Sequence, residues 1–457
     1  MKQWRLYPLL ALLVVLAMVL AACPAPAPAQ EAAPAEEAAP AAAEAEATEA
    51  PAAEAPAAEA AAGGSVVKVY TSWPLQGPML PEGDSMKKAV DLALKHYLDE
   101  NGGGPAGLTV ELVNLDDASP TTGSWDGTIE AENAQKCVND ADCMVFFGTY
   151  NSGAAKISMP ITNRAGIAQI TPANTYPGLT HAWDQGEPEI YRPSGKVNYF
   201  RTNAADDVQG WAGASWAKCL GYDTVYLLDD RQLYGKGVVD AFIQQAEKVG
   251  IEIVGRDGVE SSDIDFRALL TKVKSANPAL VYGGFVIDSG GPQVIQQMGS
   301  LGLFDLGIKF MGPDGLVNPA LVEQVGGADV ANDNVLLTFP GLAPSQLTSE
   351  AGQKFFNDFI AEYGMEPSPW STYAYQAMQV ILDSVERAGS ADRGAILEAM
   401  AALDNFEGVT GVFGFNENGD PTVSAMGGNI VRDGEIQYVG AISPDMVDAG
   451  TCDTAMP

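Results

Sequence analysis

From residue 66 onward the chain repeats one pattern: a short apolar run, a break of small or polar residues, then apolar residues at helical spacing. Runs of strand length at 66–70, 108–115, 144–147 and 166–170 alternate with helical spacing at 85–99, at 130–138 and from Ser152 onward (Ala154, Ile157, Ile161). The pattern then starts again. Strands are expected at 224–228, 251–255, 280–282 and 309–311, with helices at 211–220, 237–249, 266–275 and 292–301. Alternation of this kind calls for a parallel sheet with helices on its faces, because parallel neighbours need a crossover connection. Two such stretches imply two α/β halves of similar build, a weak internal repeat. Beyond them, a strand is expected at 335–339 and helices at 353–363, 373–388 and 393–401. Hairpin material follows at 413–420 and 429–437, with a turn at Asp433-Gly434.

The stretch before residue 66 is of another kind. Lys2 and Arg5 precede an apolar run that stops at Cys23, the pattern of an export signal over 1–22. The run is short for a membrane span. Leu20-Ala21-Ala22-Cys23 resembles a bacterial lipobox, which implies cleavage before Cys23 and a lipid on its thiol. Residues 23–64 are nearly all Ala, Pro and Glu, with no aromatic and no Lys or Arg. Such a segment cannot bury enough apolar surface to offset ordering entropy, so a tether is expected, with a reach of roughly 35 Å as a flexible coil. The 457-residue chain carries a formal charge of -34 with only 25 Lys plus Arg, which argues against nucleic acid and anionic membrane surfaces as partners. It does not argue against an anionic ligand held by local N–H dipoles, since surface charge is screened within about 10 Å.

Catalytic signatures are lacking. The two histidines, His96 and His181, lie in no nucleophile, zinc or phosphate motif, and both suit structural roles. Neither a metal nor a cofactor is called for. Outside the cytoplasm Cys137 and Cys143 can form a local disulfide, while Cys219 and Cys452 can pair or stay free. What remains is a set of loops at strand ends: 149–153, 171–175, 234–235, 283–285 and 312–314. The first runs from a strand through Gly148-Thr149-Tyr150-Asn151 into a helix start at Ser152, a layout that presents free N–H groups to a carboxylate. Together the loops offer hydroxyls, glycines, aromatic rings and one acid, which suits a zwitterion.

Asp-Asp-Ala-Ser, Gly-Thr-Tyr-Asn-Ser-Gly-Ala-Ala, Thr-Pro-Ala-Asn-Thr-Tyr-Pro-Gly-Leu-Thr, Arg-Gln-Leu-Tyr-Gly-Lys-Gly and Phe-Met-Gly-Pro-Asp-Gly occur in that order. This ordered set, over roughly 66–440, resembles the type I periplasmic binding proteins, specifically the branched-chain amino acid receptors of ABC transporters. The resemblance implies two doubly wound parallel-sheet lobes joined by three hinge crossings, with a cleft between them. Lobe I would be 65–204 plus 341–425, lobe II 205–340 plus 426–457, and the crossings would fall near 203–205, 339–342 and 423–427. It implies Ser152 on the ligand carboxylate, Ala173 presenting its backbone, Thr175 touching both charged ends and Tyr234 closing from the second lobe. Phe285 stands where the Leu/Ile/Val receptor has a tyrosine, Asp314 where it has a glutamate, and Glu82 replaces an aromatic wall residue near the mouth. The candidate ligand set is therefore Tyr150, Ser152, Ala173, Asn174, Thr175, Tyr234, Phe285 and Asp314. The implied protein is no enzyme but a monomeric, lipid-anchored receptor that hands an amino acid to a membrane permease. The alternatives are a sensory domain of the same fold or a receptor for an amide or urea.

Overall fold

The computed structural model describes residues 65–260 and 262–457. The export signal, Cys23 and the Ala/Pro/Glu segment lie outside the described residues.

Two sheets organise the chain, and they share one strand order. The first contains β1 (Val66–Trp73), β2 (Thr109–Asp116), β3 (Cys143–Gly148), β4 (Ala168–Thr171) and β5 (Tyr199–Arg201), all parallel, in the order β2-β1-β3-β4-β5. The second contains β6 (Thr224–Asp229), β7 (Glu252–Gly258), β8 (Leu280–Gly284), β9 (Lys309–Gly312) and β10 (Val335–Pro340), in the parallel order β7-β6-β8-β9-β10. The repeat read from the sequence is thus a repeat of topology. A short hairpin, β11 (Phe406–Gly408) with β12 (Gly411–Phe413), stands apart from both sheets. The second sheet gains an antiparallel edge, β13 (Met426–Arg432) on β10 and β14 (Glu435–Ile442) on β13, from the stretch read as hairpin material. The central strand β3 is buried at every position, as a strand covered on both faces must be.

The elements begin where local chemistry allows. The helix Leu80–Asn101 starts five residues before its expected start at 85, with Pro81 in its first turn. Pro81 and Gly83 read as loop in the sequence, yet proline is pre-set for the first helical turn, where no N–H is needed. The helix Asp206–Cys219 likewise starts before its apolar spacing, on two acids that complement its N-terminal dipole. The three-residue strand β5 carries too few residues to show a period.

The chain passes from the first sheet to the second after β5, leaves the second after β10, and returns to it at β13. In between, the helix Pro369–Ala388 packs on Leu80–Asn101, joined by a Ser85 Oγ–Ser371 Oγ hydrogen bond of 2.7 Å. Thr202–Ala204, Gly341, Leu342, Val423 and Ala425 line one common cavity of about 120 Å³, so all three passages meet there. Both histidines are tied to neighbours: His96 Nδ1 lies 2.7 Å from the Tyr375 hydroxyl, and His181 lies between Asp207 and Asp420 at 3.3 and 3.4 Å.

Two disulfides are formed. Cys137–Cys143 joins the end of a helix to the start of β3, and Cys219–Cys452 spans 233 residues. The second pins the C-terminal tail, helped by a hydrogen bond of 2.7 Å from Trp216 Nε1 to the Ala455 carbonyl. Replacing Cys219 and Cys452 together by serine is expected to lower the melting midpoint by about 3–8 °C, since closing so long a loop removes much chain entropy from the unfolded state. A calorimetric scan checks this; an unchanged midpoint would mean the tail is held by packing alone.

Candidate ligand-binding cleft

In each sheet the strand order reverses beside the first strand, between β1 and β3 and between β6 and β8. Ligands of open α/β sheets sit outside the carboxyl ends of the strands at such a point. The loops there come together in one cavity. Tyr150, Asn151, Ser152, Ala173 and Thr175 line it from the first sheet, and Tyr234, Val286, Asp314 and Gly315 from the second. Its volume is about 20 Å³, room for roughly one water, so the two sides are closed upon each other.

On the first side, the helix Ser152–Arg164 opens with Asn151 at its N-cap and makes no side-chain cap bond. The first-turn N–H groups of a helix have no intrahelical acceptor and carry its positive dipole end. Ser152 Oγ accepts from the Tyr176 N–H at 3.3 Å, which leaves its own proton to give. Buried bonds fix the loop's shape: Thr149 Oγ1 donates to the Asn151 carbonyl at 2.8 Å, and Thr171 Oγ1 to the Thr149 carbonyl at 2.7 Å. Asn174 belongs to this support. Its Nδ2 donates to the Tyr150 carbonyl at 2.8 Å, and its Oδ1 accepts from the Tyr199 hydroxyl at 2.8 Å. It stands behind the cavity rather than on its wall.

The second side supplies acid. Asp314 is 3% exposed, and its Oδ1 accepts from the Tyr234 hydroxyl at 2.9 Å. The same hydroxyl accepts from the Gly315 N–H at 2.9 Å, so the acid, the ring and the turn form one unit. Burial pushes the Asp314 carboxyl up to about 7. Phe285 is fully buried, packs against Gly291 and Gly283, and does not line the cavity.

The sequence reading missed Asp206. Its N–H donates to the Thr175 carbonyl at 2.8 Å, and both its carboxylate oxygens are buried without a partner. Burial and the nearby Asp314 raise its carboxyl well above the usual range. Thr175 Oγ1 and the Tyr282 hydroxyl are also buried and unpartnered, and both acids push the Tyr282 phenol up after burial has done so. Unmade polar bonds clustered beside one cavity are what a site for a polar ligand looks like. The signal in the sequence was the Asp206-Asp207 pair just after a crossing, which falls outside the apolar helical spacing.

Glu82 differs from its expected place at the mouth. It is fully buried in the first turn of Leu80–Asn101, accepts from Ser368 Oγ at 2.5 Å, and does not line the cavity. The N-terminus of the helix Pro369–Ala388 meets it with the Ser368 hydroxyl and the Trp370 N–H, and burial still pushes its carboxyl up to about 7. Among the described residues, no group of three or more His, Cys, Asp or Glu is placed to hold a metal ion, and no helix is long and apolar enough to cross a membrane.

Known proteins share this architecture. The family described as periplasmic binding protein matches residues 66–433. A leucine-, isoleucine-, valine-, threonine- and alanine-binding protein of Pseudomonas aeruginosa is 30% identical over 78% of this chain and 87% of its own. A Leu/Ile/Val-binding protein homolog of Brucella abortus is 30% identical over 77% of this chain and 86% of its own. The crystal structure of a leucine binding protein from Thermotoga maritima superposes with a TM-score of 0.70 at 27% identity, covering 83% of this chain and 99% of that one. Twin sheets of one order, a shared cavity at their switch points and a family match across nearly all the described residues agree: the chain belongs to the periplasmic binding protein family.

Proposed function

We propose that this protein is the solute receptor of an ABC importer and binds an amino acid between its two sheets. One observation carries the reading: a helix N-terminus with Ser152 and Thr175 lines one side of the cavity and Asp314 the other, with Asp206 bonded through its N–H to the Thr175 carbonyl. That arrangement matches a carboxylate and an ammonium a single carbon apart. The relatives' names, which mention leucine, isoleucine and valine, support the same class. No bond is made or broken. Residues 65–204 with 341–425 act as one lobe, and 205–340 with 426–457 as the other. They hinge at the three passages, open to admit the amino acid and close to bury it. Tyr150, Ala173 and Tyr234 surround the ligand; Asn174 and Phe285 hold the walls in place.

The protein works outside the cytoplasm, in keeping with its family. We read 1–22 as the signal that sends it there, Cys23 as the lipidated residue that keeps it on the membrane, and 23–64 as the tether that lets a monomer reach its permease.

Isothermal titration against the twenty amino acids, acetamide and urea tests the reading. Micromolar or tighter binding of at least one aliphatic amino acid is expected. Heat from none of the amino acids at millimolar concentration overturns it, and heat from acetamide or urea alone moves the protein to the amide class.

A further inference from the structure

Trp125 takes no part in the site described so far, yet it touches both sides of it. Its ring lies over the first turn of the helix Ser152–Arg164: a Cβ on Gly153 would stand 2.6 Å from the ring carbon Cζ2. Position 153 must therefore be glycine for the ring to sit there. The ring's Nε1–H donates to Gln232 Oε1 at 2.9 Å, and Gln232 belongs to the opposite lobe. Both partners are held firmly. Trp125 is fixed between an antiparallel bridge to Ala118 and the N-cap residue Asp126, whose carboxylate accepts from the Thr128 and Ile129 N–H groups at 2.8 and 3.1 Å. Gln232 is the N-cap of the helix Leu233–Val249, with its N–H on Asp230 Oδ1 at 3.0 Å. Tyr234, which holds Asp314, follows two residues later.

We propose that Trp125 is a positioning residue for the bound ligand, acting as a clasp that couples closure to the shielding of the anion-binding turn. The proposal rests on the reading of the cleft as an amino-acid site. When the lobes meet, the indole N–H locks onto Gln232 while the ring keeps water off the Ser152–Gly153 N–H groups. Excluding water strengthens hydrogen bonds from those groups to a carboxylate. Opening must break the indole bond first. The clasp therefore acts on ligand release and leaves capture nearly unchanged.

Gln232→Ala deletes the acceptor and leaves the indole on Gly153; Trp125→Phe deletes the N–H and, with one ring in place of two, also uncovers part of Gly153. Stopped-flow kinetics with the amino acid that binds tightest in the titration panel should show release quickened about three- to tenfold in Gln232→Ala, the range of one neutral hydrogen bond, and by at least as much in Trp125→Phe. Association should change by less than about threefold, and the double variant should release no faster than Trp125→Phe alone, since the bond is already gone there. Unchanged release, or effects that multiply in the double variant, overturns the proposal. A ligand-free measurement separates its failure from that of the functional reading. The indole N–H resonance that Trp125→Phe deletes should shift, and exchange with solvent faster, in Gln232→Ala under conditions where the lobes are closed, including a variant with an engineered disulfide across the cleft. If that resonance responds while no amino acid binds, the clasp stands and the amino-acid reading falls. If it does not respond, the clasp is absent.

Discussion

Asp314→Asn is expected to cost about 100-fold or more in amino-acid affinity while raising the melting midpoint of the ligand-free protein at pH 8. Both effects come from one buried carboxyl. Removing one partner of a buried, hydrogen-bonded charge pair typically costs 2–5 kcal/mol of binding, which is about 30-fold to several thousandfold. The stability effect has the opposite sign. Burial raises the folded-state carboxyl to about 7, above the roughly 3.9 of an unfolded aspartate. The folded state then holds the proton more tightly than the unfolded state does. Its stabilising contribution is complete below about pH 4 and is lost as pH rises through about 7. At pH 8 the wild type carries an ionised acid in a poor environment, with Asp206 close by. The amide carries none and still accepts from the Tyr234 hydroxyl. A gain of about 2–5 °C at pH 8, shrinking toward pH 5, is the expected result. Binding within tenfold of wild type would make the acid structural; a lower midpoint at both pH values would mean the charge is matched in the free protein.

Gly237→Val should hold the cleft open. Gly237 lies in the helix Leu233–Val249, and a Cβ there would stand 2.5 Å from Cδ2 of Tyr176, which belongs to the opposite side. The tyrosine cannot easily swing away, because its hydroxyl donates to Glu187 at 2.9 Å. Valine thus meets a fixed ring only when the lobes close. Because the clash lies between lobes and not within one, the cores stay intact. Scattering from the variant in saturating amino acid should keep the larger radius of the open form, affinity should fall about 100-fold, and the melting midpoint of the free protein should move by no more than about 2 °C. A compact variant that binds normally would show that the ring yields and that the contact does not limit closure.

The sequence disclosed the residue behind the first of these expectations and not the contact behind the second. Asp314 was legible because it follows a short strand within a motif of recognisable order, Phe-Met-Gly-Pro-Asp-Gly. Ser152 and Thr175 were legible for the same reason, since a strand end, a glycine break and a helix start are local signals. Asp206 was not. Its neighbours in sequence give no apolar period, and its meaning comes from Thr175 and Asp314, far away along the chain. Glu82 was assigned to the mouth by the resemblance alone, and nothing local to it shows that its hydroxyl partner comes from Ser368, far along the chain. The contacts Tyr176–Gly237 and Trp125–Gln232 left no trace, because hydrophobic patterning records which face of an element is buried and not what covers it.

The amino-acid sequence alone determined the class of fold, the twofold repetition of strand and helix, the early charged and apolar segment, and most of the strand-end loops, because each depends on residues within a turn or two of one another. Only the tertiary structure decided that the two sheets share one strand order, that β13 and β14 join the second sheet antiparallel, that Cys219 meets Cys452, and that two buried acids stand beside a single cavity. The physical reason is distance along the chain. Those features are set by pairings across tens to hundreds of residues, whose free energy appears only when the lobes have folded and the polar groups between them have lost their water.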